Sequence, residues 1–185
     1  MPEISETALP EVKRIRPARF ADNRGFFSET WNAEKMRMAG LDHDFVQDNH
    51  SFSALAGTIR GLHYQAPPMA QAKLVRVARG AILDVAVDIR RSSPNYGRWV
   101  AEELSAENGM QLLIPRGFLH GFVTLVAETD VLYKVDAPYA PEHDGAVRFD
   151  DPDLGIDWGI APETALLSEK DARAPSFRDF VTPFD

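Results

Sequence analysis

The sequence predicts an all-β fold, a sandwich or barrel of short strands, on three observations. Nine segments of strand length follow one another between residues 26 and 136. The breaks between them, such as "ARG", "RSSPNYG", "AENG" and "IPRG", carry the Gly, Pro and Asn of tight turns, and such regular punctuation suits a sandwich or barrel better than βαβ units. The length of 185 residues with 44% hydrophobic content and no cysteine is enough for one core that needs no disulfide.

In chain order the segments are "FFSETW" (26–31), "FVQDNHSF" (45–52), "TIRGLHY" (58–64), "AKLVRVAR" (72–79), "AILDVAVDI" (81–89), "RWVAEEL" (98–104), "MQLLI" (110–114), "HGFVTLV" (120–126) and "TDVLYKVD" (129–136). One early helix is expected at "NAEKMRMAG", with Asn32 as N-cap and Gly40 as its stop. Beyond about residue 137 the chain turns Pro- and Asp-rich, and "SEKDARAPSF" reads as a capped helical turn in a C-terminal wrap of the same domain.

The formal net charge of -8 argues against nucleic acid or an anionic membrane as partner, while leaving room for a local basic pocket. The lack of a membrane-length apolar run, and of a basic start with an apolar stretch in "MPEISETALPEVKR", makes the cytoplasm the expected location. Without cysteine, chemistry falls to His, Tyr, Lys and carboxylates.

Strand periodicity shows which of these point inward. In "AILDVAVDI", Leu83, Val85, Val87 and Ile89 share one apolar face and Asp84 and Asp88 take the other, so one face is expected to be core. Tyr133 shares a face with Val131 and Val135, and Lys73 with Val75 and Val77. Strict alternation sends Arg60 and His63 to opposite faces; Gly61 between them is a natural bulge site, and a bulge there would bring both to one cavity. Taken singly, each has a structural explanation: a hydrogen-bonded His, a core Tyr with a satisfied hydroxyl, a snorkelling Lys. Together, on strands that should line one barrel, they stand evenly between that structural explanation and a pocket with convergent polar groups, where chemistry is expected.

"GMQLLIPRGFLH" places Gly109, Pro115, Gly117 and His120 at a spacing that resembles the second cupin motif. The metal-binding first motif is not matched: "GLHYQ" has Gln65 where a second His would stand, and Thr124 replaces the usual Asn of the second motif. With His63 and His120 alone, the three protein ligands of a catalytic metal are not assembled, and a metal-free site is expected.

The stretches "RGFFSETW", "QDNHSFS", "GTIRGLHYQ", "AKLVRVARGAILDVAVDIR", "PNYGRW", "IPRGFLHGF", "YKVDAPYAPEHDG" and "LSEKDARAPSF" together resemble the dTDP-4-dehydrorhamnose 3,5-epimerase family along nearly the whole chain. The resemblance implies a cupin-like jelly-roll barrel with a few short peripheral helices, spanning residues 1–185 as one domain, its N-terminal strands exchanged within a homodimer. It implies cofactor-free inversion of carbons 3 and 5 of a dTDP-linked 4-keto-6-deoxy sugar through an enolate, in dTDP-rhamnose biosynthesis. His63 then matches the base, Asp171 its carboxylate partner, Lys73 the cation at the enolate oxygen and Tyr133 the acid on the opposite side. Gln47, Asp48, Asn49, Arg60, His120, Asp144 and Lys170 match substrate-binding positions, Asp144 standing where the family usually has Glu. Phe20 and Tyr139 match the rings that sandwich the thymine; Phe20, Arg24 and Glu29 reach over from the partner subunit. The competing expectations are a sister enzyme that inverts one carbon, a non-catalytic sugar-nucleotide binder and a metal-dependent cupin.

Overall fold

A computed structural model describes residues 1–185. Four short strands come first, β1 (Glu3–Glu6), β2 (Lys13–Arg16), β3 (Arg19–Asp22) and β4 (Gly25–Ser28), then helix α1 (Ala33–Met38). The central run is β5 (Gln47–Ser53), β6 (Ile59–Gln65), β7 (Lys73–Arg79), β8 (Ala81–Asp88), β9 (Trp99–Ser105), β10 (Gln111–Ile114), β11 (Phe118–Thr124) and β12 (Thr129–Val135). Strand β13 (Asp144–Ala146) and helix α2 (Glu169–Ala172) lie in the C-terminal wrap.

The strands form two facing antiparallel sheets in a cupin-like jelly roll. One has the order β1-β2-β10-β7-β12-β5, the other β13-β6-β11-β8-β9, and β3 with β4 makes a separate hairpin. The two ladders do not join, so the expected barrel consists of two opposed sheets. Between them Val75, Leu112, Ile114 and Val131 of the first meet Ile82, Ala86, Leu104, Phe118 and Phe122 of the second. Burying each of these side chains other than that of Ala86 contributes about 1.5–3 kcal/mol. The chain crosses from one sheet to the other at Gly80, whose φ is +82 and where a Cβ would come within 2.2 Å of Thr129 Oγ1.

All nine predicted strands are present, shifted by a few residues at their ends. Asn32 caps α1 by accepting from Lys35 N at 3.1 Å, and Ser168 caps α2 by accepting from Asp171 N at 3.1 Å. Strands β1, β2, β3 and β13 lie outside the predicted set; "EISE" carries two charges in four residues and "KRIR" three, as suits an edge strand and its neighbour.

The one-faced reading of β8 is corrected. Val85 and Val87 pack against Val147, Phe149, Leu154 and Trp158 of the wrap, while Ile82 and Ala86 on the other face belong to the inter-sheet core. Asp84 and Asp88 are fully buried on that second face. No helix is long and apolar enough to cross a membrane.

Candidate active site

Sheet pairing places the first chemical groups. Opposite β11, His63 faces His120 and Arg60 faces Phe122, so three steps on β6 answer two on β11 and the extra residue forms a bulge. Gly61 makes it possible. Its φ is +130, and a Cβ there would sit 2.6 Å from Gly121 Cα and 2.8 Å from His120 O. The bulge turns Arg60 and His63 into the same cavity, of about 420 Å³, as the sequence suggested.

Two histidine–carboxylate pairs stand side by side at that cavity, with His63, Asp171 and His120 lining it and Asp84 buried behind His120. His63 Nε2 donates to Asp171 Oδ1 at 2.5 Å, and His120 Nε2 donates to Asp84 Oδ1 at 2.7 Å. A carboxylate can only accept, so each partner fixes the proton on Nε2 and leaves Nδ1 without a partner in the chain. Burial works to raise Asp171, yet the hydrogen bonds from His63 and Ser168 hold it below its ordinary value. Burial pulls His120 down against the opposing pull of Asp84, keeping the imidazole neutral near pH 7.

Lys73 and Tyr133 come from the six-stranded sheet, across the cavity from His63. Their faces are the valine faces expected from alternation, and Val75, Val77 and Val131 are core. Burial lowers Lys73 from 10.5 to about 8, opposed by Asp84 and Asp144. Its Nζ enters no ion pair within the chain. Burial raises Tyr133, with Arg60 opposing and Asp144 assisting, so the phenol holds its proton firmly at neutral pH.

A second opening of about 320 Å³ shares His63, Lys73, Tyr133 and Lys170 with the first and adds Gln47, Asn49, Tyr139 and Asp144. Tyr139 is exposed there with its backbone N–H donating to Gln47 Oε1 at 2.9 Å. Asp144, though a methylene shorter than Glu, is ion-paired with Lys170 and accepts from Tyr139 Oη at 3.3 Å. Lys170 and Asp171 project from α2, which the Ser168 cap orients. Gln65, at the missing metal-ligand position, is spent on the fold: it donates to the carbonyls of Met69 and Pro138 and accepts from Ala140 N.

Four residues lie elsewhere. Asp48 sits between Gln47 and Asn49, so alternation turns its side chain to the outer face, where Lys134 binds it at 3.1 Å. Phe20 and Glu29 line a separate depression beside α1, and Arg24 is exposed in the β3–β4 hairpin, paired with Asp22 at 2.5 Å. The hairpin exposes Phe20, Phe26 and Phe27 at 65, 60 and 69%. Conversely, the sequence reading overlooked Asp84, Ser51, Phe122 and the rim Leu166–Ser168. The apolar partners of Asp84 on its own face, Ile82 and Ala86, were the signal for it.

A model of the dTDP-4-dehydrorhamnose 3,5-epimerase family matches residues 6–179. The chain is 52% identical over 177 residues to the dTDP-4-dehydrorhamnose 3,5-epimerase of Sinorhizobium fredii, covering 96% of this chain and 90% of that protein. It is similar to the crystal structure of dTDP-6-deoxy-D-glucose-3,5-epimerase from Legionella pneumophila in complex with dTDP-4-keto-L-rhamnose, with a TM-score of 0.92, 43% identity and coverage of 98% and 95%. It is also similar, with a TM-score of 0.85, 35% identity and coverage of 92% and 86%, to a 3'-monoepimerase from Streptomyces bikiniensis in complex with dTDP-quinovose.

Proposed function

Starting from the fact that this chain belongs to the dTDP-4-dehydrorhamnose 3,5-epimerase family, we propose how its own residues carry out the family's reaction. The enzyme is an isomerase that epimerises dTDP-4-dehydro-6-deoxy-D-glucose at C3 and C5 to dTDP-4-dehydro-L-rhamnose, in dTDP-rhamnose biosynthesis. One observation carries the assignment of roles: His63 and Tyr133 enter a single cavity from opposed sheets, with a partnerless Lys73 on the strand next to that of Tyr133.

The C4 ketone acidifies the hydrogens on C3 and C5. His63 removes each through Nδ1, and the imidazolium that forms is stabilised by Asp171 at its Nε2. Negative charge then gathers on the C4 oxygen, where the Lys73 ammonium in a poorly solvated pocket stabilises it. Tyr133 delivers a proton to the opposite face of the enolate. The reaction is a proton exchange and draws on no cofactor.

Nucleotide recognition follows from the second opening. Lys170, with Arg60 from the adjoining cavity, answers the diphosphate, Gln47 and Asn49 the nucleoside side, and Tyr139 one face of the thymine. Phe20, Arg24 and Glu29 serve the site of a second copy: their distance from this chain's own cavity and the exposed aromatic hairpin support a homodimer with exchanged N-terminal strands. Residues 1–185 act as one such unit, in the cytoplasm, the compartment in which activated nucleotide sugars are built.

Incubation with dTDP-4-dehydro-6-deoxy-D-glucose in deuterium oxide tests the reading. Deuterium at both C3 and C5 is expected; deuterium at one carbon alone transfers the chain to the single-centre chemistry named for the Streptomyces relative.

A further inference from the structure

Behind the cavity wall, bonded to His120, lies one buried acid that the proposed chemistry leaves without a role. Asp84 is fully buried on β8, on the inner face of the five-stranded sheet. Its Oδ1 accepts from His120, and its Oδ2 is buried without any hydrogen-bond partner. An unpaired carboxylate oxygen in a dry interior is unfavourable, and an apolar residue at the position would be free of that penalty. The fold therefore keeps this group against its own stability, as functional sites do.

The charged and titratable groups around it narrow its role. From β11 comes His120, and from β7, across the cavity, Lys73, on which Asp84 is the strongest charge acting. On β9, Glu102 is in register with Asp84 but is engaged with Arg14 at 2.5 Å. Around Lys73 stand Asp144 and Lys170, which pair with each other. Asp84 is thus the one carboxylate near Lys73 that no cation neutralises. His120 Nδ1, in turn, is neither hydrogen-bonded within the chain nor among its sealed unpaired atoms, so it opens to the cavity.

We propose that Asp84 is a positioning residue for the epimerisation. It fixes the His120 proton on Nε2, so that Nδ1 accepts a hydrogen bond from a sugar hydroxyl, and it supplies the counter-charge that keeps Lys73 an ammonium when the enolate forms. His120 therefore orients the sugar and does not compete with Lys73 for the oxyanion. The inference rests on the epimerase reading above, and its test has readouts that do not depend on turnover.

The test compares Asp84→Asn and Asp84→Glu with the unsubstituted protein. In the unsubstituted protein, nitrogen NMR of the histidines is expected to show His120 as the Nε2–H form, and NMR of labelled lysine is expected to place the Lys73 titration near pH 8. In Asp84→Asn that titration and the alkaline limb of kcat move down together by about one pH unit or more. Affinity for dTDP alone stays unchanged, and Asp84→Glu keeps the limb in place even where kcat drops. A purely structural role would lower stability without moving either titration. An unmoved limb in Asp84→Asn, or a His120 protonated on Nδ1 in the unsubstituted protein, overturns the proposal. Should Asp84→Asn not fold, the His120 tautomer in the unsubstituted protein and the limb in Asp84→Glu decide. If the protein makes no epimerised product, the epimerase reading fails, while the two NMR measurements still judge Asp84.

Discussion

Replacing Gly61 with alanine probes how closely fold and chemistry are joined. The new Cβ would lie 2.6 Å from Gly121 Cα and 2.8 Å from His120 O, both backbone atoms that no rotamer change can move aside. A φ of +130 adds strain for any residue with a Cβ, about 1–3 kcal/mol. Overpacking against fixed backbone adds about 1–3 kcal/mol more. The sum, about 2–6 kcal/mol, is a large part of the stability of a protein this size. What survives folding must spread β6 from β11 at the bulge that aims Arg60 and His63. A displacement of about 1 Å at the base lowers kcat by about 100-fold. Thermal unfolding and steady-state kinetics on one preparation measure both quantities. Unchanged Tm together with unchanged kcat would falsify the argument that Gly61 is required by the close approach of the two strands.

Three further outcomes follow from the site. Tyr133→Phe keeps the packing of the ring but removes the proton donor, so kcat falls by about 10²–10⁴, while exchange of substrate hydrogens at the His63 side continues in deuterium oxide; loss of exchange as well would reassign Tyr133. Lys73 has a folded pKa of about 8 against 10.5, so between those values the unfolded chain holds the extra proton and stability gains with pH. The burial penalty, about 3 kcal/mol, is present in full below pH 8 and relieved by 10.5, so the stability advantage of Lys73→Met is largest at pH 7 and shrinks in alkaline buffer. A constant difference across that range argues against a buried ammonium. Finally, Asp144→Ala releases Lys170 from a partly exposed ion pair, which is worth about 0–1 kcal/mol of stability. Its signature is a raised KM with an unchanged Tm, and the reverse pattern would assign the pair a structural task.

The sequence made the central strands legible because their alternation is driven by burial. Lys73 and Tyr133 were found on valine faces for that reason, and Gly61 marked the bulge. The edge strand β1 and its neighbour β2 were opaque, since their charged residues carry no such rhythm. Asp84 was hidden by the same rule that found Lys73: an acid on an alternating strand reads as solvent-facing, and the inward signal from its face-mates Ile82 and Ala86 is outweighed until its partner His120, 36 residues on, is seen. Asp171 lies 108 residues beyond His63, and no local pattern joins them; resemblance to the family paired them, and the docking of α2 gives that pairing its geometry. The second-copy roles of Phe20, Arg24 and Glu29 likewise depend on a neighbour that a single chain does not spell out.

The late arrival of α2 bears on how the protein is made and how it ends. Ribosomes release the amino end first, so the sheets and the base exist before the acid that sets the base's tautomer has left the exit tunnel. A product cut short ahead of Ser168 would lose Lys170 along with Asp171, so its imidazole would swing free and its nucleotide cleft would lack one cation. Clipping by a protease at the same place would silence the catalyst without dismantling the particle.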